Sequence, residues 1–197
     1  MNQNLTKAEV YIQGTRPLLF HAFREEILTQ TKKTRSGSQG NDPDEWKQTV
    51  QMDDKRQLYV THLNLFSFLK NAAQFTKIGR GTIKNKVGAT LQIPPGNYTL
   101  LNRFVPEEDE LDRDENKPVF LHVISVKNPA TKARNLRYRI AANIGWELKF
   151  LMMWDPRIVS VDLMKGVIED GGILEGFMDG RNIGYGRFEV IDINIFK

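Results

Sequence analysis

The chain has 197 residues, 40% of them hydrophobic, with 28 Lys and Arg against 24 Asp and Glu, three His and no Cys. The lack of cysteine excludes disulfides, a thiol nucleophile and cysteine zinc sites, and the lack of an apolar run of about 18 residues excludes a membrane-spanning helix. The length suits one domain, residues 1–197, with its own core; no secretory leader opens the chain, and a reducing cytoplasm is the expected compartment.

Lys7 to Gly14 alternates Val10 and Ile12 against Tyr11 and Gln13, the pattern of a first strand. Gly14-Thr15-Arg16-Pro17 ends it, because proline removes a ladder donor and fixes φ. Residues 30–57 are polar and centred on Ser36-Gly37-Ser38-Gln39-Gly40, and read as a flexible insertion closed by a small hairpin of 46–50 with 56–60. Leu65, Phe66, Leu69, Ala72 and Ala73 recur at helical spacing, so a helix is expected over about 64–76, capped by Thr61 or Asn64. A strand is expected around Ala89 to Ile93, and residues 106–117 form an acidic loop, disordered in part.

Val119 to Val126 reads as a strand, with a turn at Asn128-Pro129. Residues 136–143 and 146–154 form one long strand or a pair broken at Gly145, with Trp146, Leu148, Phe150, Met152 and Trp154 on one face. Ser160 caps a helix whose stripe is Val161, Met164, Val167 and Ile168, and Gly171 is placed to end it in a left-handed conformation. In the last strand the apolar phase flips between Val190 and Ile191, which requires a bulge there. The order strand, insertion, helix, strand, strand, helix, strand is βαββαβ: an α+β, ferredoxin-like antiparallel sheet with helices on one face and a large insertion after the first strand.

Six glycines fall between Gly171 and Gly186. The first set has P-loop spacing, but Phe177-Met178 stands where Lys-Ser/Thr must meet phosphate and magnesium. Gly184-Tyr185-Gly186 lacks the third glycine of a dinucleotide turn and enters a strand. The run therefore reads as an open backbone surface for an extended anionic chain, with Arg181 and Arg187 for phosphate and Phe177 and Tyr185 for stacking on bases. The alternative is a long turn with both aromatics in the core. Lys70 to Lys86 and Lys127 to Arg139 are acid-free basic segments, whereas Glu107 to Glu115 gathers seven acids. His21, His62 and His122 lack ligand spacing, so no metal or other cofactor is expected. Candidate nucleic-acid contacts are Lys70, Lys77, Arg80, Lys84, Lys86, Arg134, Arg137, Arg139, Phe177, Gly180, Arg181, Asn182, Gly184, Tyr185, Gly186 and Arg187.

Several segments together resemble the RAMP superfamily, the RNA-binding backbone subunits of CRISPR effector complexes. The first strand with Gly14-Thr15-Arg16-Pro17-Leu18 is similar to that group's opening strand and turn. Tyr59 to Ala73 is similar to its strand-then-helix element, and Gly176 to Gly186 with Arg187-Phe188-Glu189-Val190 to its glycine-rich loop and last strand. Thr61-His62-Leu63-Asn64 lacks the Pro-Gly-Ser that usually precedes the helix, and Asn71 stands near the place of a basic residue. Small phage and prophage proteins share this layout. The resemblance implies an RRM-like domain whose glycine loop and first helix face single-stranded RNA or DNA, with 30–57 as a finger or thumb. The function expected is a non-enzymatic subunit that binds single-stranded nucleic acid, RNA (a guide backbone) before DNA, and assembles head-to-tail with copies of itself and other subunits of an antiviral ribonucleoprotein. A phage-encoded accessory or inhibitory protein using its acidic segment on a protein partner is the second reading. A metal-dependent ribonuclease using acids of the insertion is the third.

Overall fold

A computed structural model describes residues 5–22, 42–94, 96, 99–127, 132 and 134–196. Its main sheet has five strands in the order β10-β1-β9-β6-β3, every neighbour antiparallel. These are β1 (Thr6–Gly14), β3 (Gln57–Val60), β6 (Thr99–Phe104), β9 (Glu147–Trp154) and β10 (Phe188–Phe196). A second sheet, β2-β8-β7, joins β2 (Leu18–Phe20) to the hairpin of β7 (Val119–Lys127) and β8 (Arg134–Ala142). A two-stranded hairpin, β4 (Lys77–Ile78) with β5 (Gly81–Thr82), stands apart. The chain is thus α+β with antiparallel sheets.

The alternation read in the sequence sets the buried face. Ala8, Val10 and Ile12 of β1 and Leu148, Phe150, Met152 and Trp154 of β9, with Trp146 just ahead of it, are all buried. Trp146 and Trp154 each have a partner for the indole N–H, the carbonyls of Arg16 and Val159, at 2.9 Å in both cases. A buried indole without such an acceptor carries an unmet donor. Two helices cover this face: α2 (His62–Ala72) through Leu65, Phe68, Leu69 and Ala72, and α4 (Val161–Asp170) through Met164, Val167 and Ile168. Thr61 caps α2 in a reciprocal box with Asn64, and the Ser160 side chain accepts from Leu163 N–H. The pairing of β1 with β10 steps from Tyr11–Asp192 to Ile12–Val190, so Ile191 is the extra residue of the expected bulge and turns outward.

Three local expectations need correction. Residues 84–90 form a helix, α3 (Lys84–Thr90), followed by one bridge of Gln92 to Met153, instead of a strand over 89–93. Ile83, Val87 and Leu91 are buried at helical spacing, and the stem of Lys70 lies over Gly88, 3.1 Å from where a Cβ would sit. The small hairpin is reduced to β3 and a single bridge of Met52 to Leu58, because residues 45–49 turn into the short helix α1 (Glu45–Thr49). Finally, Gly171 has φ −59 and does not stop α4. The chain runs on through a π-helical turn, Gly171–Glu175, to Gly176 at φ +76, and this turn fits against α2 and β10 because residues 171 and 172 carry no Cβ. Of the insertion, residues 30–41 lie outside the described residues, as does the Asn128-Pro129 turn. The described part packs α1 on β8.

Candidate nucleic-acid interface

The glycine loop is folded inward. Phe177 N–H donates to the Gly186 carbonyl at 2.8 Å, Gly186 N–H to Pro17 at 2.8 Å and Asp179 N–H to Leu19 at 3.2 Å. Thr15 and Arg16 both donate to the Arg187 carbonyl. The loop is therefore stitched along β2 and the end of β1, and these N–H groups are already used. A Cβ at Gly186 would lie 2.0 Å from the Phe177 carbonyl oxygen, and one at Gly176 2.7 Å from that of Tyr185. Close internal approach, not an open surface, explains these glycines. Only Asn182, Ile183 and Gly184 at the tip remain turned to solvent or in open space.

Several candidate contacts change accordingly. Phe177 is 1% exposed and set edge-on to Phe68 at 5.4 Å, so it is a core residue and offers no stacking face. Tyr185 is half-buried, its hydroxyl 3.0 Å from His122 Nε2. Arg181 pairs with Glu175 at 2.8 Å, and Gly180 packs against Leu19 and Tyr185. Arg187 has one guanidinium nitrogen buried without a hydrogen-bond partner. On β8, Arg139 is buried beside Asp179 at 3.1 Å, and Arg137 is bound to Glu45, whose carboxylate also accepts from Tyr138 N–H at 3.0 Å. Among the described residues of the second basic segment, Lys127, Lys132 and Arg134 stay exposed.

The first basic segment behaves differently. Lys70 lies on α2, Lys77 and Arg80 on the β4-β5 hairpin, and Lys84 and Lys86 on α3, so five cations are carried by consecutive elements. Among the described residues none of the five enters an ion pair. The acidic segment is partly neutralised at home, through Glu107 with Arg56, Glu108 with Lys47 and Asp112 with Lys117. Among the described residues no group of three His, Asp or Glu is placed to hold a metal ion.

Two concavities had no signature in the sequence. An open groove of ≈ 700 Å³ crosses β1, β6 and β9, where Lys149 Nζ sits 4.6 Å from the centre of the Tyr11 ring. A smaller cleft of ≈ 210 Å³ lies between the first turns of α2, the end of β2 and the glycine loop, lined by His21, Asn64, Ser67, Met178, Asp179 and Arg181. Burial pushes the His21 imidazole below its usual range, against the pull of Asp179. These residues are scattered over the sequence, and only the fold gathers them.

No protein-family model matches the chain, and neither does any curated protein. A chain in the cryo-EM structure of the Type III-B Cmr-beta bound to cognate target RNA is similar in fold, with a TM-score of 0.54 at 13% identity. The match covers 98% of this chain and 61% of that neighbour, so the chain spans less than two thirds of the neighbour's length.

Proposed function

We propose that this chain is a RAMP-type subunit that binds single-stranded nucleic acid without cleaving it, RNA in the first place. The core of that reading is ferredoxin-like: β10-β1-β9-β6 is the strand order in which α2 joins the first strand to the second and α4 the third to the fourth. The observation that carries it is the run of five cations on α2, the β4-β5 hairpin and α3 without an ion-pair partner among the described residues. Cations left unpaired on consecutive elements suit a row of phosphates, because each contact releases a condensed counterion. The cognate target RNA of the neighbour favours RNA over DNA, and the resemblance in sequence implies head-to-tail copies along a guide backbone.

The reading assigns the chain no reaction. Glu45 is engaged with Arg137 and Tyr138, and Asp53 accepts from the N–H groups of Lys55 and Gln57. Purified protein is expected to carry nucleic acid that a ribonuclease removes, and to retain a labelled oligouridine at low salt. Protein that comes free of nucleic acid and retains no oligomer overturns the reading, and capture of a protein partner through residues 107–115 then becomes the better one.

A further inference from the structure

The main sheet has one closed edge and one open edge. At the β3 edge the chain doubles back on itself: Met52 bridges Leu58, and the N–H groups of Tyr59 and Asp53 donate to the carbonyls of Gln51 and Gln57, at 3.0 Å in both cases. At the opposite edge β10 pairs with β1 alone, and among the described residues no other backbone group bonds to its outer side. Such an edge presents a row of N–H and C=O groups to any further strand, and proteins commonly blunt it with lysine or proline. β10 contains neither, and its bulge at Ile191 leaves Asp192 to Phe196 as a regular stretch. Beside it runs a groove of ≈ 550 Å³ walled by Lys165 and Glu169 of α4 and by Ile173 of the π-helical turn, which is 69% exposed. An open apolar groove along a free edge suits an added strand, whose backbone takes the hydrogen bonds and whose alternate side chains take the groove.

The residues of β10 select that strand. Among the described residues the main sheet presents only β10 as an open edge, so a second copy meets it through its own β10, antiparallel about a two-fold axis. Charge then sets the register. Pairing centred on Asp192 would place carboxylate opposite carboxylate, which is destabilising. Pairing centred on Ile193 places Asp192 opposite Asn194 of the second copy, twice by symmetry, while Ile191 meets Ile195 and Ile193 meets its own equivalent. Within the chain Asn194 Nδ2 already donates to Asp192 Oδ2 at 2.9 Å, so these two side chains match in chemistry. Asp192 and Asn194 are exposed, whereas Ile193 and Ile195 are half-buried, so the pairing covers apolar surface and leaves its polar pairs at the rim. We propose that two copies of this chain join through β10 into one continuous sheet. The contact uses none of the five cations, so it does not rest on the nucleic-acid reading, and as a closed two-fold contact it is separate from any head-to-tail one.

The test follows protein freed of nucleic acid by sedimentation velocity over a range of concentrations, where the wild type should pass from monomer to dimer. Asn194→Asp puts acid opposite acid in both symmetric pairs and should weaken the dimer about tenfold, whereas Asn194→Lys should tighten it. The chain has no cysteine, so an introduced one reports the register. Ile193→Cys should form a disulfide between copies on mild oxidation, because directly opposed residues lie about 4.5–5.5 Å apart at Cα. Ile195→Cys faces Ile191 of the second copy, roughly 13 Å along the strand from its own equivalent, and should form none. A wild type that stays monomeric, with no disulfide from Ile193→Cys, overturns the proposal and leaves the edge to a strand of another protein. A dimer indifferent to both Asn194 changes, or linked equally well through Ile195→Cys, also overturns it, since the copies then meet elsewhere. Oligouridine retention is a separate measurement, and neither result decides the other.

Discussion

Gly186 and Phe177 form a closed pair: the Phe177 N–H donates to the Gly186 carbonyl at 2.8 Å, and a Cβ on Gly186 would come within 2.0 Å of the Phe177 carbonyl oxygen. Gly186 also holds φ +68, so an L side chain there meets both a steric and a conformational barrier. Gly186→Ala is expected to destabilise the fold by about 2–4 kcal/mol, from the strained φ and a clash that only backbone movement relieves. Gly184→Ala, at φ +91 in open space, is the control and should cost about 1–2 kcal/mol. Urea midpoints of the two variants check the difference.

The pair of Arg137 with Glu45 predicts a separation of stability from binding. Glu45 is 8% exposed and holds both the guanidinium and the Tyr138 N–H. Glu45→Ala leaves that N–H unmet and should cost about 1–3 kcal/mol. Arg137→Ala should likewise lower the unfolding midpoint while leaving the salt dependence of RNA retention unchanged. A fall in the salt slope would place Arg137 on a phosphate instead.

Two histidines give a pH dependence. Burial, first of all, pushes His21 and His122 below the usual histidine range, and Arg139 adds to it in both. The unfolded chain therefore takes up these protons near pH 6.5, and the folded chain only at lower pH. Unfolding binds protons in that window, so stability is full above it and falls as the pH drops through it. Denaturant midpoints should decline between about pH 7.5 and 5, and His122→Gln should flatten part of the decline. A flat profile contradicts the buried neutral rings.

Periodic and local signals were legible in the sequence. The alternation of Trp146 to Trp154, the caps at Thr61 and Ser160 and the bulge at Ile191 all depend on neighbours a few residues apart. The strand expected over 89–93 was misread, because the helical spacing of Ile83, Val87 and Leu91 shows only once all three are buried on one face. The glycine loop misled because the groups that need its missing Cβ atoms and its N–H donors include Pro17 and Leu19, far away in sequence. Arg137 and Arg139 looked free because Glu45 and Asp179 reach them only in the folded chain. The small cleft joins His21, Ser67 and Asp179, and no spacing rule connects them.

The most direct test of the account is the salt dependence of oligouridine retention by the wild type and by a variant with Lys77, Arg80, Lys84 and Lys86 all changed to Ala. Each phosphate contact adds about 0.7 to the magnitude of the slope for single strands, so the variant should lose roughly 2–3 from it. Its unfolding midpoint should stay near the wild-type value, since none of the four enters an ion pair among the described residues. An unchanged slope, or retention insensitive to salt in the wild type, contradicts the account.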